Sequence, residues 1–432
     1  VTGPSRTTVA ALAGWAALIG AARLVGLWHF DGRLRPLNIR GVPFVGTWEP
    51  WITDALWAPI AVAALGVALL PRIAARWAWP AVLAATASVQ AAFAAALAWS
   101  GRPFEHWQSI ELSYGRHTDL VATLGPGGLL SSYVDRQPDL PGHLRAHPPG
   151  LLLVLRSLES VGAQGTGWQL ALVLVAGAAS AVAAVVALRA VAGEGPARAA
   201  APFVAIVPAA VFGTNADVVF GAAGLVAVAL GVVATARSGR RADALAVAGG
   251  AAFAAALLGS YGVALLGVAV AVAAGATRAW RVLALWCGAA GACLAAVGLA
   301  WGFWWPAGLW QTHDEYRHSL ARSRGYAYWL LGNPAVFAVL IGPAVVVGLT
   351  RLRGRPWVVV GGGLAAVAVA ALSGMSSAET ERIWQPFVPL VALGAAGLAL
   401  GRDGARPGRV RPWLALQATV AIGLTAVLRS PW

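Results

Sequence analysis

Apolar runs of about twenty residues recur along nearly the whole chain: 8–28, 52–71, 79–99, 167–191, 198–213, 216–236, 244–258, 261–276, 281–303, 333–350, 356–373, 384–401 and 411–428. A bilayer core about 30 Å thick is crossed by a helix of about 20 apolar residues, and the hydrocarbon admits only structures that satisfy their own backbone. The runs therefore predict an all-α, polytopic transmembrane helix bundle of about 11–13 spans, with residues 1–432 as a single transmembrane domain. Only 11% of the residues are charged and 59% are hydrophobic, which excludes a soluble domain on one anchor. The first run carries Arg23 and no small-residue cleavage site, so it is expected to be retained.

All 31 basic residues are arginine, and Ala, Gly and Val fill the apolar runs, as codon usage in a GC-rich bacterial genome would dictate. A bacterial plasma membrane is the expected location. The formal charge of +14 raises nucleic acid as a partner, but these arginines sit in short connections between apolar runs, where cytoplasmic loops carry them. No nucleic acid is expected. Cys287 and Cys293 share one apolar run at no metal or redox spacing, and read as packing residues.

Arginine placement also gives a direction. If the N-terminus is cytoplasmic, the inner loops hold Arg72, Arg76, Arg189, Arg198, Arg237, Arg240, Arg241, Arg278, Arg281, Arg351, Arg353, Arg355, Arg402, Arg406, Arg409 and Arg411, against only Glu194, Asp243 and Asp403. The opposite loops collect the other carboxylates, among them Glu105, Glu111, Asp119, Asp217, Asp314, Glu315, Glu379 and Glu381, and all seven histidines. Chemistry is therefore expected on the extracytoplasmic face. No internal repeat stands out, which counts against the two-fold architecture of many transporters.

Residues 100–166 are too long for a simple connection and are expected to carry interfacial helices on the outer leaflet, with further external loops at 304–332 and 374–383. The long segment contains an amphipathic stretch, Glu111–Leu124, in which Glu111 and Asp119 lie eight residues apart and near one helical face. A Gly-Pro-Gly-Gly break follows at 125–128, and His147-Pro148-Pro149-Gly150 leads into an apolar helix.

An acid on a short helix after an early span, a glycine about a dozen residues on, and His-Pro-Pro before the next helix resemble the first external loop of GT-C glycosyltransferases. The pattern is most like that of protein O-mannosyltransferases and lipid-A aminoarabinose transferases, whose loop carries Asp-Glu followed by His-Pro-Pro or Lys-Pro-Pro. The resemblance covers chiefly residues 105–160, with weaker support from Asn215-Ala216-Asp217 in the next external turn. This chain has Ile110-Glu111 in place of Asp-Glu, and two extra helices precede the loop. The likeness implies a GT-C-like fold, a polyprenyl-phosphate sugar donor used at the outer face, a cell-envelope glycan, lipid or protein as acceptor, and inverting hexosyl or pentosyl transfer.

Such transfer needs a carboxylate to take the acceptor's proton and cationic or hydrogen-bonding groups for the departing phosphate. Glu111 and Asp119 are both candidates for the base, with Asp217 behind them; either of the first two could equally be a solvated acid on an interfacial helix. His147 and Arg145 are candidates for phosphate or acceptor binding, and the planar fork of arginine suits phosphate. Later in the chain Arg322 and Arg324 lie in a mixed polar loop, and Glu379, Glu381 and Arg382 stand at the mouth of an apolar run, where charges are costly unless paired or used. Arg382 is the leading candidate for a lipid-phosphate ligand. His313-Asp314-Glu315 has no strong metal-ligand spacing, so no metal residues are assigned and a divalent cation stays open.

Two other classes remain beside the glycosyltransferase: a transporter or flippase for a lipid-linked envelope precursor, and a non-catalytic assembly partner with a degenerate loop. The topology can be tested directly. A cysteine at Ser131 should react with an impermeant thiol reagent in intact cells, and one at Ser238 should not; the reverse pattern would invert the arrangement.

Overall fold

The structure, a computed structural model, describes residues 5–101, 108–399 and 407–432; Glu105, His106, Arg402, Asp403 and Arg406 lie outside them. Among the described residues eight helices are long and apolar enough to cross a membrane, as expected of a multi-pass membrane protein. They are α1 (Arg6–His29), α2 (Trp57–Arg76), α3 (Trp79–Gly101), α4 (Thr166–Ala192), α5 (Ala216–Thr235), α6 (Trp280–Trp301), α7 (Tyr326–Arg351) and α8 (Pro407–Val427).

The other five predicted spans are shorter, broken or more charged. Pro208 helps divide 198–213 into Glu194–Ala205 and a 3-10 turn at Pro208–Phe212. Gly239–Leu257 carries Arg240, Arg241 and Asp243 in its first turns. Tyr261–Leu266 is 3-10 before Gly267–Thr277, Trp357–Leu372 has 16 residues, and 384–401 is cut into short α and 3-10 pieces around Pro386 and Pro389. All five still run alongside the long helices, so the apolar periodicity located helix where it fell short of unbroken spans.

Packing sorts the helices by depth. In α5 and α7, 72% of the apolar window is buried inside the protein, against 11% in α1, so α5 and α7 form the centre and α1 lies on the rim. α5 packs on α4 and Gly239–Leu257, α1 on α7, and α2 on α3 and α8. Small residues allow these approaches: a Cβ on Gly250 would run into the Trp286 carbonyl. Leu24, Trp28, Trp57, Leu65 and Leu299 stay exposed on the outside, as a lipid solvent permits.

The polar connections collect at two ends. At one, Arg198 donates to the carbonyls of Ala74 and Trp77, Arg189 and Arg198 pair with Glu194, Arg281 pairs with Asp243, and Arg411 donates to Ala68 O. At the other lie residues 30–56, residues 108–165, and the turns before α5 and after Trp357–Leu372. A two-residue antiparallel pairing, Thr47–Trp48 with Leu428–Arg429, joins the first of these connections to the chain after α8.

The amphipathic stretch is not one helix. Ser109–Ser113 ends at Tyr114 (φ −137°, ψ −44°), a 3-10 turn follows at Gly115–His117, and a new helix starts at Asp119. Glu111 and Asp119 therefore do not share a helical face. Gly115 lies against the Glu111 carboxylate and the Gln169 amide, where a Cβ would clash, so the turn is fixed by tertiary packing. The expected break appears inside Asp119–Arg136 at Gly125 (φ 71°), and the helix Gly150–Ser160 follows Pro149.

α7 is broken at Gly342 (φ 79°) before Pro343, which frees backbone groups in its apolar centre. Gln417 of α8 satisfies them: its Nε2 donates to Ile341 O (2.8 Å) and its Oε1 accepts from Ala344 N–H (3.3 Å). Gln417→Leu orphans both, at a cost of roughly 1–3 kcal/mol for each buried group. Its midpoint of thermal unfolding in detergent should fall clearly below that of the parent; equal midpoints would show the break to be satisfied some other way.

Candidate functional site

The site begins with how α5 starts. Asn215 accepts a hydrogen bond from Asp217 N–H through Oδ1 (2.9 Å) and donates from its amide to Phe212 O (2.8 Å), fixing the first turn of the helix. Asp217 is thereby set on that turn, its side chain 7% exposed.

Facing it is the turn 376–384. Ala378 (φ 78°) and Glu379 (φ 62°) both adopt the left-handed conformation, which side-chain-bearing residues hold only when the surroundings impose it. α7 imposes it here: Asn333 donates to Ser376 O (2.8 Å) and accepts from the Thr380 hydroxyl (2.7 Å). The short helix Thr380–Ile383 then aims Arg382 at α5.

Arg382 donates to Asp217 Oδ2 (2.6 Å) and Glu379 Oε2 (2.7 Å), and its guanidinium lies 4.8 Å from the Trp432 ring centroid. Glu379 also receives Arg324 (3.2 Å), which is itself held by the carbonyls of Leu37 and Ser377. Burial opposes the charge of Glu379, but Arg382 and Arg324 outweigh it and hold the carboxyl down to about 2. Asp217 Oδ1 has no hydrogen-bond partner among the described residues.

This cluster closes one side of a cavity of about 610 Å³. Arg145, His147, Asp217, Glu315, Arg324, Glu379 and Arg382 are among the polar residues of its lining, and Val263, Leu265, Trp305 and Leu309 among the apolar ones. Arg145 pairs with Glu315 (2.7 Å) and donates to Leu140 O. The Tyr133 hydroxyl bridges the carbonyls of Leu144 and His147, and the His147 ring stacks on Phe220 at 5.0 Å. Burial, reinforced by nearby Arg382, pushes His143 and His147 down to about 4, so both are neutral at pH 7. His147 Nδ1 is buried without a partner among the described residues.

Of the residues singled out in the sequence, Asp217, Arg145, His147, Arg324 and Arg382 converge on this cavity. Glu111 does not: it accepts from Gln169 (2.6 Å) away from the lining. Asp119 lies in a separate shallow depression with Arg116, His117 and Arg136. Arg322 is an exposed loop residue bonded to Arg317 O. Glu381, expected beside a phosphate, is instead fully buried behind the turn, accepting from Val45 N–H (2.8 Å) and Trp432 Nε1 (3.3 Å).

Asn333 and Tyr133 were not singled out in the sequence, Glu315 was weighed there only in a metal cluster, and Glu379 was noted at the helix mouth without a site role. Glu379 was discernible as the i,i+3 partner of Arg382, whereas the others act through contacts distant in the chain. Among the described residues no group of three or more His, Cys, Asp or Glu is placed to hold a metal ion, and His313, Asp314 and Glu315 do not converge. Comparison with family models, with curated proteins and with solved structures gives no match to this chain.

Two carboxylates in one turn titrate in opposite directions. Glu379, held down by its arginines, stabilises the fold above about pH 4.5, and this contribution is lost as pH falls through about 2. Glu381 is pushed up to about 7 by burial, so its contribution is full below about pH 4.5 and is lost as pH rises through about 7. Glu381→Gln keeps the acceptor for Val45 and Trp432 but cannot ionise. Its unfolding temperature should lose the decline that the parent shows between about pH 4.5 and 7; an unaltered profile would mean that Glu381 does not ionise on this path.

Proposed function

We propose that this protein is a glycosyltransferase of the GT-C type that takes a sugar from a polyprenyl-phosphate donor at the outer membrane face. The basic end is then cytoplasmic and the cavity end external, in keeping with the arginine bias. The observation that carries the reading is Asp217, paired with Arg382 in the wall of a cavity whose lining is both charged and apolar. A polyprenyl-phosphate sugar has the same mixed character, with a lipid tail and a polar head.

In this reaction Asp217 Oδ1 takes the proton of the acceptor hydroxyl as its oxygen attacks the anomeric carbon. The bond from that carbon to the phosphate oxygen breaks, and the lipid phosphate leaves with the electron pair. Arg382 and Arg145 compensate the charge that develops on it. Both arginines are already paired with carboxylates, so a bound phosphate shares each guanidinium with the carboxylate that holds it in place. Neutral His147 can hydrogen-bond the acceptor or donor sugar without adding charge. Of the three acids nominated as base from the sequence, only Asp217 is in the cavity lining among the described residues, so the role is assigned to it and not to Glu111 or Asp119. The acceptor belongs to the cell envelope, as a glycan, lipid or protein.

The test is purified protein incubated with radiolabelled polyprenyl-phosphate sugars. Asp217→Asn should lower transfer or donor hydrolysis by about 10²–10⁴. Glu111→Gln and Asp119→Asn should remain within a few-fold of the parent. A larger loss at either of these than at Asp217 would return the base to the long external segment. Movement of donor across sealed vesicles with no transfer would replace the enzyme by a transporter.

A further inference from the structure

The opposite end of the bundle holds a second cavity, of about 800 Å³, where the ends of α4, α5 and Gly267–Thr277 meet the starts of Gly239–Leu257 and Trp357–Leu372. α5 separates it from Asp217 by roughly 30 Å at the helical rise per residue. Arg237, Arg241 and Arg355 line it together with Ser238, and among the described residues no carboxylate does.

The other arginines at this end show why that matters. Arg189 and Arg198 share Glu194, and Arg281 takes Asp243 in a two-bonded pair. Both described carboxylates of this end are thus engaged elsewhere. Among the described residues the side chains of Arg237, Arg241 and Arg355 have no hydrogen-bond or ion-pair partner. All three are exposed, and three guanidiniums around one depression make a positive field that draws anions to it. Ala190, Val191, Ala276 and Val358 add apolar surface to the lining.

We propose that this cavity binds a phosphate-bearing anion, with Arg237, Arg241 and Arg355 as its ligands. Guanidinium forks match phosphate oxygens, and basic pockets between helix ends at a membrane surface hold anionic headgroups. The apolar surface of the lining would accept the glycerol and first methylenes of a lipid, while a soluble phosphate would use the arginines alone. This site is independent of the transferase reading, since it uses none of its residues.

The test uses the full-length protein in detergent and reads lipid retention by native mass spectrometry. Dioleoylphosphatidylglycerol should be retained in preference to dioleoylphosphatidylcholine. Each arginine contributes about fivefold at such a surface, so Arg237→Gln/Arg241→Gln/Arg355→Gln should lower retention by more than about tenfold. Arg240→Gln/Arg278→Gln, on the same end but outside the lining, should change it less than about twofold. Because the three ligand arginines have no partner in the fold, the triple variant should elute as a single species like the parent. A second arm titrates inorganic phosphate by thermal shift. Saturable stabilisation that the triple variant loses, without a phosphatidylglycerol preference, would keep the anion site and assign it to soluble phosphate. Equal lipid loss in the triple variant and the control pair would reduce the cavity to a diffuse basic surface and overturn the proposal. So would the absence of both lipid preference and phosphate binding.

Discussion

Arg382, buried between Asp217 and Glu379, is the interaction on which the polar end of the bundle depends. Taking three charges out of water is costly unless each finds a partner, and removing one partner of such a set typically costs about 3–5 kcal/mol. The need to satisfy this guanidinium ties together segments far apart in sequence. Asp217 comes from the first turn of α5, Glu379 from a left-handed turn pinned by α7, and Trp432 from the chain beyond α8. Arg324 extends the network to the carbonyl of Leu37. Four connections are thereby held against one ionic cluster.

The apolar bundle makes that cluster matter. In lipid, broken backbone must be satisfied by neighbours, and Gln417 does this for the Gly342–Pro343 break in α7. α5 and α7 are the most buried of the eight long helices, and they carry or support the ionic turn. Rigid central helices therefore present Asp217 and Asn333 at fixed positions, while the cavity is completed by connecting segments such as 142–147 and 305–324. Its wall carries both charged and apolar side chains. This mixed lining is the physical basis for reading its occupant as amphipathic.

The two ends of the molecule solve their charge problem differently. At the cavity end arginines are matched by carboxylates, Arg145 with Glu315 and Arg382 with Asp217 and Glu379, so the charges of the wall nearly balance. At the other end arginines outnumber acids, and three of them surround a depression with no counter-ion among the described residues. That asymmetry is the spatial form of the arginine bias along the chain.

Apolar runs of membrane-spanning length determined the all-α bundle, because hydrocarbon leaves the backbone few alternatives to helix. The alternation of basic and acidic connections likewise determined which loops gather at which end. Pro, Gly and local charge decided which predicted spans became shorter or broken helices, as at 198–213 and 384–401. Within the site, Asp217, Arg145, His147, Arg324 and Arg382 could be nominated from residue type and position at span ends. Their convergence, and the displacement of Glu111 and Asp119 from it, could not. Glu111 and Asp119 seemed paired because helical periodicity assumes an unbroken helix, whereas Tyr114 and Gly115 turn the chain between them. Arg382 and Asp217 stand 165 residues apart, and no local pattern encodes a contact at that distance. Only the folded bundle decides it, because burial makes an unpaired charge too costly and so selects which distant groups must meet.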